Sequence, residues 1–94
     1  MAGSVRNNTA EERYELELDG VIAYVAYHHE DGYVSLDHTE VPSQLGGRGV
    51  GSALAKGTLD LIRSEGFKLI PRCDFIAGYI KKHPEYQDLV ANAR

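Results

Sequence analysis

A chain of 94 residues carrying 10 Lys+Arg against 14 Asp+Glu, with a formal net charge of -4, has room for one domain around one modest core. The acidic balance argues against a nucleic-acid surface, which needs a dense basic face to displace counterions from phosphates, while a hydrophobic fraction of 43% is that of a chain that folds. The single cysteine, Cys73, can form no internal disulfide, and no apolar run approaches the ~18 residues of a membrane span, so the expectation is a reducing, cytoplasmic setting with no membrane partner.

Residues 1–12 are small and polar and read as a flexible lead-in without chemistry, ahead of a single domain over 13–94. From Arg13, Tyr14, Leu16 and Leu18 alternate with Glu15, Glu17 and Asp19, the period-2 signature of a strand with one buried face. Asp19-Gly20 supplies a hairpin turn into the β-rich run Val21 to Tyr27. Glu30-Asp31-Gly32 makes the next turn, and a third strand runs from Tyr33 to Val41, ending before Pro42.

At Gly49 the period changes to 3.6, with Val50, Ala53, Leu54, Leu59 and Ile62 at helical spacing up to a stop at Gly66. Lys68 to Cys73 then reads as a fourth strand, returned by the crossover helix to lie parallel to the third. Asp74 is placed to cap a short helix through Phe75, Ile76, Tyr79 and Ile80, broken at His83-Pro84, and the tail from Gln87 to Arg94 is predicted to be helical and then frayed. The fold class is α/β, in the α+β sense: a mostly antiparallel sheet with one parallel strand pair and a long central helix.

Between the third strand and that helix lies Gly46-Gly47-Arg48-Gly49-Val50-Gly51. A strand, a glycine-dense turn and a helix start present unpaired N–H groups and the positive end of a helix dipole to an anion, and the missing β-carbons let a phosphate approach the backbone. A Walker loop is excluded, because Ser52-Ala53 provides no Lys-Ser or Lys-Thr pair after the last glycine. A dinucleotide fold is excluded by order, since three strands precede the turn.

Val41-Pro42 followed by Gly46-Gly47-Arg48-Gly49-Val50-Gly51-Ser52-Ala53-Leu54 resembles the coenzyme A loop of the GNAT acyltransferase superfamily. Gly49 and Gly51 match the two small positions of its Gln/Arg-x-x-Gly-x-Gly/Ala motif; Gly46 stands where the superfamily has Gln or Arg, a contact for which Arg48 is the substitute. Asp37-His38-Thr39-Glu40-Val41, Pro71-x-Cys73-x-Phe75 and His83-Pro84-Glu85-Tyr86 extend the resemblance to a compact subgroup about the size of this chain, which lacks the early helices that wall the acceptor site in larger relatives.

The resemblance implies an acetyl-coenzyme A-dependent N-acetyltransferase acting on an amine, either a small molecule or an exposed protein lysine or N-terminus. It places the coenzyme A pyrophosphate against Val41, Gly46, Gly47, Arg48, Gly49, Val50, Gly51 and Ser52, with Tyr79 over the adenine or pantetheine and Lys82 reaching a phosphate. Tyr79 fits a core position equally well. It brings Cys73 near the thioester, as an acylated nucleophile or as an acid for the leaving thiolate, against the alternative of a small buried core residue. The base is His38, an imidazole suited to accepting an ammonium proton near neutrality, or Glu40, which shares its strand face; a surface or hydrogen-bonded structural histidine fits His38 equally well.

His28-His29 does not make a metal site, because strand neighbours face opposite ways and no third ligand has suitable spacing. No metal is expected. The chain is expected to be a monomer or weak dimer. An open acceptor side also suits a second class of function, an acyl-coenzyme A-binding or protein-interaction module without turnover.

Overall fold

The structure, a computed structural model, describes residues 4–91. Five strands, β1 (Arg6–Asn8), β2 (Arg13–Leu18), β3 (Val21–Glu30), β4 (Tyr33–Glu40) and β5 (Lys68–Pro71), lie side by side in that order in one sheet. The first three pairings are antiparallel and β4–β5 is parallel, joined through helix α1 (Val50–Glu65). Helix α2 (Asp74–Lys82) follows, and short 3-10 turns cover Ser43–Leu45 and Pro84–Leu89. This is the mixed, mostly antiparallel sheet with one parallel pair that the sequence pattern predicts.

Period-2 alternation decides which face is buried. Tyr14 pairs with Val25, Leu16 with Ala23 and Tyr27 with Leu36, so all six side chains point to the face that α1 covers. From α1, Leu54, Leu59 and Ile62 recur at helical spacing and are fully buried against them. Each such aliphatic side chain contributes about 1.5–3 kcal/mol by leaving water. Gly66, in the left-handed region at φ 82, ends the helix; its N–H donates to the Arg63 carbonyl and that of Phe67 to the Ile62 carbonyl. The other sheet face is covered by no helix among the described residues and carries Arg13, Glu15, Glu17, His28, Ser35 and His38 beside Ile22, Tyr24 and Ala26, the arrangement antiparallel sheets permit.

Three expectations are corrected. The first is the lead-in: Arg6–Asn8 forms β1, antiparallel to β2. No apolar pattern announces it because polar bonds hold it. The carboxylate of Glu15, only 2% exposed, accepts from Arg6 at 2.8 Å, Asn8 at 3.1 Å and Arg13 at 2.9 Å. On the other face Asn7 donates to Glu65 and accepts from the Tyr27 hydroxyl. The expected lead-in's first three residues lie outside the described residues.

Second, Cys73 rather than Asp74 holds the N-cap position of α2, and Asp74 is its first residue. The cap makes no side-chain hydrogen bond, so the helix start rests on packing of Ile76 and Ile80 into the core. Third, Pro84–Leu89 is a 3-10 turn whose Tyr86 and Leu89 are buried, followed at Val90 by a bridge to Leu69; residues 92–94 of the expected helical tail lie outside the described residues.

Gly57 in mid-α1 has a specific reason. A β-carbon there would stand 2.3 Å from Val5 Cγ2 and 2.7 Å from Val5 Cβ, so the segment leading into β1 crosses the helix where only glycine fits. Because the clash includes Cβ, no rotamer of Val5 relieves it. Gly57→Ala is therefore expected to destabilise by about 1–2 kcal/mol despite alanine's better helix propensity, with amide exchange rising selectively in β1. Unchanged stability with β1 still protected would contradict this packing.

Candidate active site

The parallel ladder between β4 and β5 ends at Leu36 and Pro71. One residue on, the β3–β4 register steps from Tyr27–Leu36 to Ala26–His38, leaving Asp37 as the extra residue of a bulge. The last backbone tie across the two strands is the Cys73 N–H donating to the Leu36 carbonyl at 2.9 Å. Beyond it the chain turns away into α2 while β4 continues to Glu40, pairing only with β3 among the described residues. The sheet therefore opens into a notch, with one edge of β4 on one lip and Arg72–Cys73 on the other.

The glycine turn stands at this end of the sheet. Leu45 and Val50, each 1% exposed, anchor its two ends in the core, and Val41 packs against the same core. Between the anchors Gly46, Gly47, Arg48 and Gly49 are exposed. Gly47 at φ 75 and Gly49 at φ 71 lie in the left-handed region, which glycine alone enters without strain. Gly49 is the N-cap of α1, whose start has no side-chain cap and no acidic residue in its first turn. Ala53 is the first helical residue to donate inward, to the Gly49 carbonyl at 3.0 Å. The N–H groups of Val50, Gly51 and Ser52 ahead of it are the unpaired donors of a helix start.

That donor set fits a pyrophosphate: uncharged N–H groups beside open space where β-carbons would stand at Gly47 and Gly49. Arg48 is engaged elsewhere, its Nη1 2.9 Å from Asp19 Oδ2 in an exposed ion pair that ties the turn to the β2–β3 hairpin. Exposed pairs of this kind contribute little, so the guanidinium exchanges partners readily.

Gly51 also fixes the relation of the two helices. A β-carbon on it would lie 3.0 Å from the Phe75 ring, so the first turns of α1 and α2 touch. Phe75 is 44% exposed beside the glycine turn, a position the sequence reading did not assign. Tyr79, one turn on, stacks on His83 with centroids 4.0 Å apart, and burial raises the pKa of its hydroxyl. It is half-buried between helix packing and solvent; Lys82 is exposed on the last turn of α2.

The two candidate catalytic groups lie on opposite faces of β4. Thr39 pairs with Val25 and so points to the helix-covered face, where its Oγ1 is 3.1 Å from Cys73 Sγ. His38 pairs with Ala26 and points to the open face, where Nε2 meets Glu40 Oε1 at 3.2 Å and the Tyr24 ring stands edge-on at 6.5 Å. The structure thus brings His38 to Glu40 and Cys73 to Thr39, but does not bring His38 to Cys73. The notch lies between the two pairs. Thr39 was missed because contact with Cys73 depends on the splay of two strands that are distant in sequence. His28 and His29 also face opposite sides: His28 meets Asp37 and Glu30 on the open face, and His29 packs edge-on against Phe67.

A family model for the GCN5-related N-acetyltransferases matches residues 13–89. Among curated proteins, Protein NATD1 of Gallus gallus and of Mus musculus are each 43% identical over 51 residues, covering 54% of this chain and 46% of the relative. The match therefore spans about half the length of those relatives. A GCN5-like protein from Staphylococcus aureus, solved by NMR, superposes with a TM-score of 0.70 at 26% identity, over 97% of this chain and 90% of that one. A sheet that opens between its fourth strand and the parallel strand beside it, a glycine turn onto the following helix, and a family match across nearly the whole domain lead to one conclusion: the chain belongs to the GCN5-related N-acetyltransferase family, in a compact form.

Proposed function

We propose that the chain transfers an acetyl group from acetyl-coenzyme A to an amine. The observation that carries this reading is the notch itself, which joins the helix-covered face, with its glycine turn, to the open face carrying His38 and Glu40. Acetyl-coenzyme A supplies an activated thioester. Gly47, Gly49 and the N–H groups of Val50, Gly51 and Ser52 bind its pyrophosphate from the helix-covered side, with Val41 and Gly46 flanking; Arg48 turns from Asp19 to the phosphates. Phe75 and Tyr79 form the apolar wall along α2, and Lys82 adds positive charge at the far end.

At the notch, Cys73 presents its sulfur with Thr39 as hydrogen-bond partner, and the acceptor approaches from the other side. His38, backed by Glu40, takes the proton that the attacking ammonium must lose. Cys73 serves either as nucleophile or as the acid that returns a proton to the departing thiolate. In this chain β2, β3 and β4 are joined directly by hairpins. With no helix inserted there to wall the acceptor side, a small amine and an exposed protein lysine or N-terminus are both accommodated. We place this activity in a reducing compartment, where Cys73 stays a free thiol.

Intact-mass measurement after incubation with acetyl-coenzyme A tests the chemistry, in the native chain and in Cys73→Ala. An acetyl adduct on the native chain that is absent from Cys73→Ala supports the nucleophile role. Transfer to amines without an adduct supports the acid role. Binding without adduct, thioester hydrolysis or transfer would replace the enzyme by a coenzyme A-binding module.

A further inference from the structure

Five side chains on the open sheet face form a closed ring across the root of the notch. His28 Nδ1 is 2.6 Å from Asp37 Oδ2, and Asp37 Oδ1 accepts from the buried Ser35 hydroxyl at 2.6 Å. Ser35 Oγ in turn accepts from Arg72 Nη1 at 2.9 Å, and the same Nη1 donates to Glu30 Oε2 at 3.0 Å. Glu30 Oε2 closes the ring on His28 Nε2 at 3.0 Å. The members come from β3, β4 and the β5–α2 connection, and two of them sit at the lips: Asp37 is the bulge residue next to His38, and Arg72 immediately precedes Cys73.

We propose that His28 is a positioning residue for the acetyl-transfer site: as an imidazolium it closes this ring and thereby fixes the separation of the two lips of the notch. The proposal rests on the functional reading above for its purpose, though not for its geometry.

Both ring nitrogens of His28 face carboxylate oxygens. A neutral imidazole has one donor and would turn a lone pair toward one of those oxygens, whereas the imidazolium donates to both. The hydrogen bond to Asp37 and then that to Glu30 raise the pKa of His28; hydrogen bonds from Arg72 and His28 lower that of Glu30. Among the described residues, Asp37 and Glu30 are the charged groups that act on it. Glu30 faces His28 from β3 and Asp37 from β4, and Arg72 faces it through Glu30. One pleat along the same face stand Arg13, paired with Glu15, and His38, hydrogen-bonded to Glu40.

Since the folded-state pKa lies above the ordinary imidazole value, the ring is closed below that value and opens as pH rises through the raised one. On opening, either Asp37 or Glu30 loses its donor. The bulge is then held by Ser35 alone, or Arg72 shares a carboxylate no longer tied to β3's histidine.

The test is an NMR pH titration of the ligand-free, isotope-labelled chain, following the His28 ring nitrogens and the amides of Asp37, Arg72 and Cys73. The His28 midpoint should lie above the ordinary imidazole value with both ring nitrogens protonated below it, and the three amides should shift with that midpoint, a step absent from His28→Asn. Should His28→Asn not fold, Glu30→Gln keeps an acceptor for His28 and Arg72 but removes the charge that favours the imidazolium, and both the His28 midpoint and the amide step should move down together. A His28 midpoint at or below the ordinary imidazole value, or amides that stay still through the His28 titration, would overturn the proposal. In acetyl-coenzyme A turnover, His28→Asn is expected to lower kcat about tenfold with KM changed less than about threefold, because the phosphate turn is untouched. A loss confined to KM would also overturn it. Failure of the functional reading shows separately, as absence of coenzyme A binding by the native chain.

Discussion

Gly49→Val should fold and should bind coenzyme A at least about a hundredfold more weakly, a loss of about 2.7 kcal/mol. Gly49 holds φ 71, and nothing lies within 4 Å of where its β-carbon would be. A β-carbon there therefore meets no atom beyond its chain neighbours, and the cost to the fold is chiefly the left-handed conformation, roughly 1–2 kcal/mol. The open space that spares the fold is the space a pyrophosphate would occupy. A branched side chain there holds the anion away from the N–H groups of Val50, Gly51 and Ser52, whose attraction falls off within the first helical turn. Calorimetric titration with coenzyme A, beside thermal unfolding of the same variant, separates the two effects. Unaltered affinity in a folded Gly49→Val would move the phosphates elsewhere.

Glu15→Ala is expected to cost about 2–3 kcal/mol and to release β1 from the sheet. Its carboxylate is buried, and three donors converge on it from β1 and β2. Removing it leaves Arg6 and Asn8 without the group that holds β1 in register. The estimate stays below that for a fully buried ion pair because Arg6 is 65% exposed and recovers hydration. Burial by itself raises the Glu15 pKa, but the hydrogen bonds from Arg13 and Asn8, with the charges of Arg13 and Arg6, lower it overall. A carboxylate lowered in the folded state stabilises above its unfolded value of about 4.3, and that stabilisation is lost as pH falls through the folded value. Acid unfolding of the native chain should therefore begin with loss of β1 protection, while Glu15→Ala should show a flatter dependence of stability on pH in this range. Equal acid dependence in both chains would remove Glu15 from this role.

Those two residues also mark how far the sequence could be read. Strands β2 to β4, α1 and the parallel return of β5 follow from hydrophobic period and turn chemistry: Asp19-Gly20 and Asp31-Gly32 each put two successive residues at positive φ, as a tight hairpin requires. The glycine turn was legible for the same reason, since its chemistry is local. β1 was not, because Arg6, Asn7 and Asn8 have no apolar alternation and bond to Glu15, Tyr27 and Glu65, partners up to 58 residues away. The bulge at Asp37 was hidden too. A one-residue slip flips every later side chain to the other face, and nothing in Leu36-Asp37-His38 announces it. That slip separates the faces of His38 and Cys73, and the ring of His28, Asp37, Ser35, Arg72 and Glu30 can be drawn only once three strands are in register.

The central claim is that the glycine turn receives the coenzyme A pyrophosphate and delivers the thioester to the notch. Amide chemical-shift mapping with coenzyme A added to the native chain tests it most directly. The expected result is saturable shifts, largest at Gly47, Gly49, Val50, Gly51 and Ser52 and continuing to Thr39 and Cys73. Saturable shifts confined to any other surface, or none at all, would contradict it.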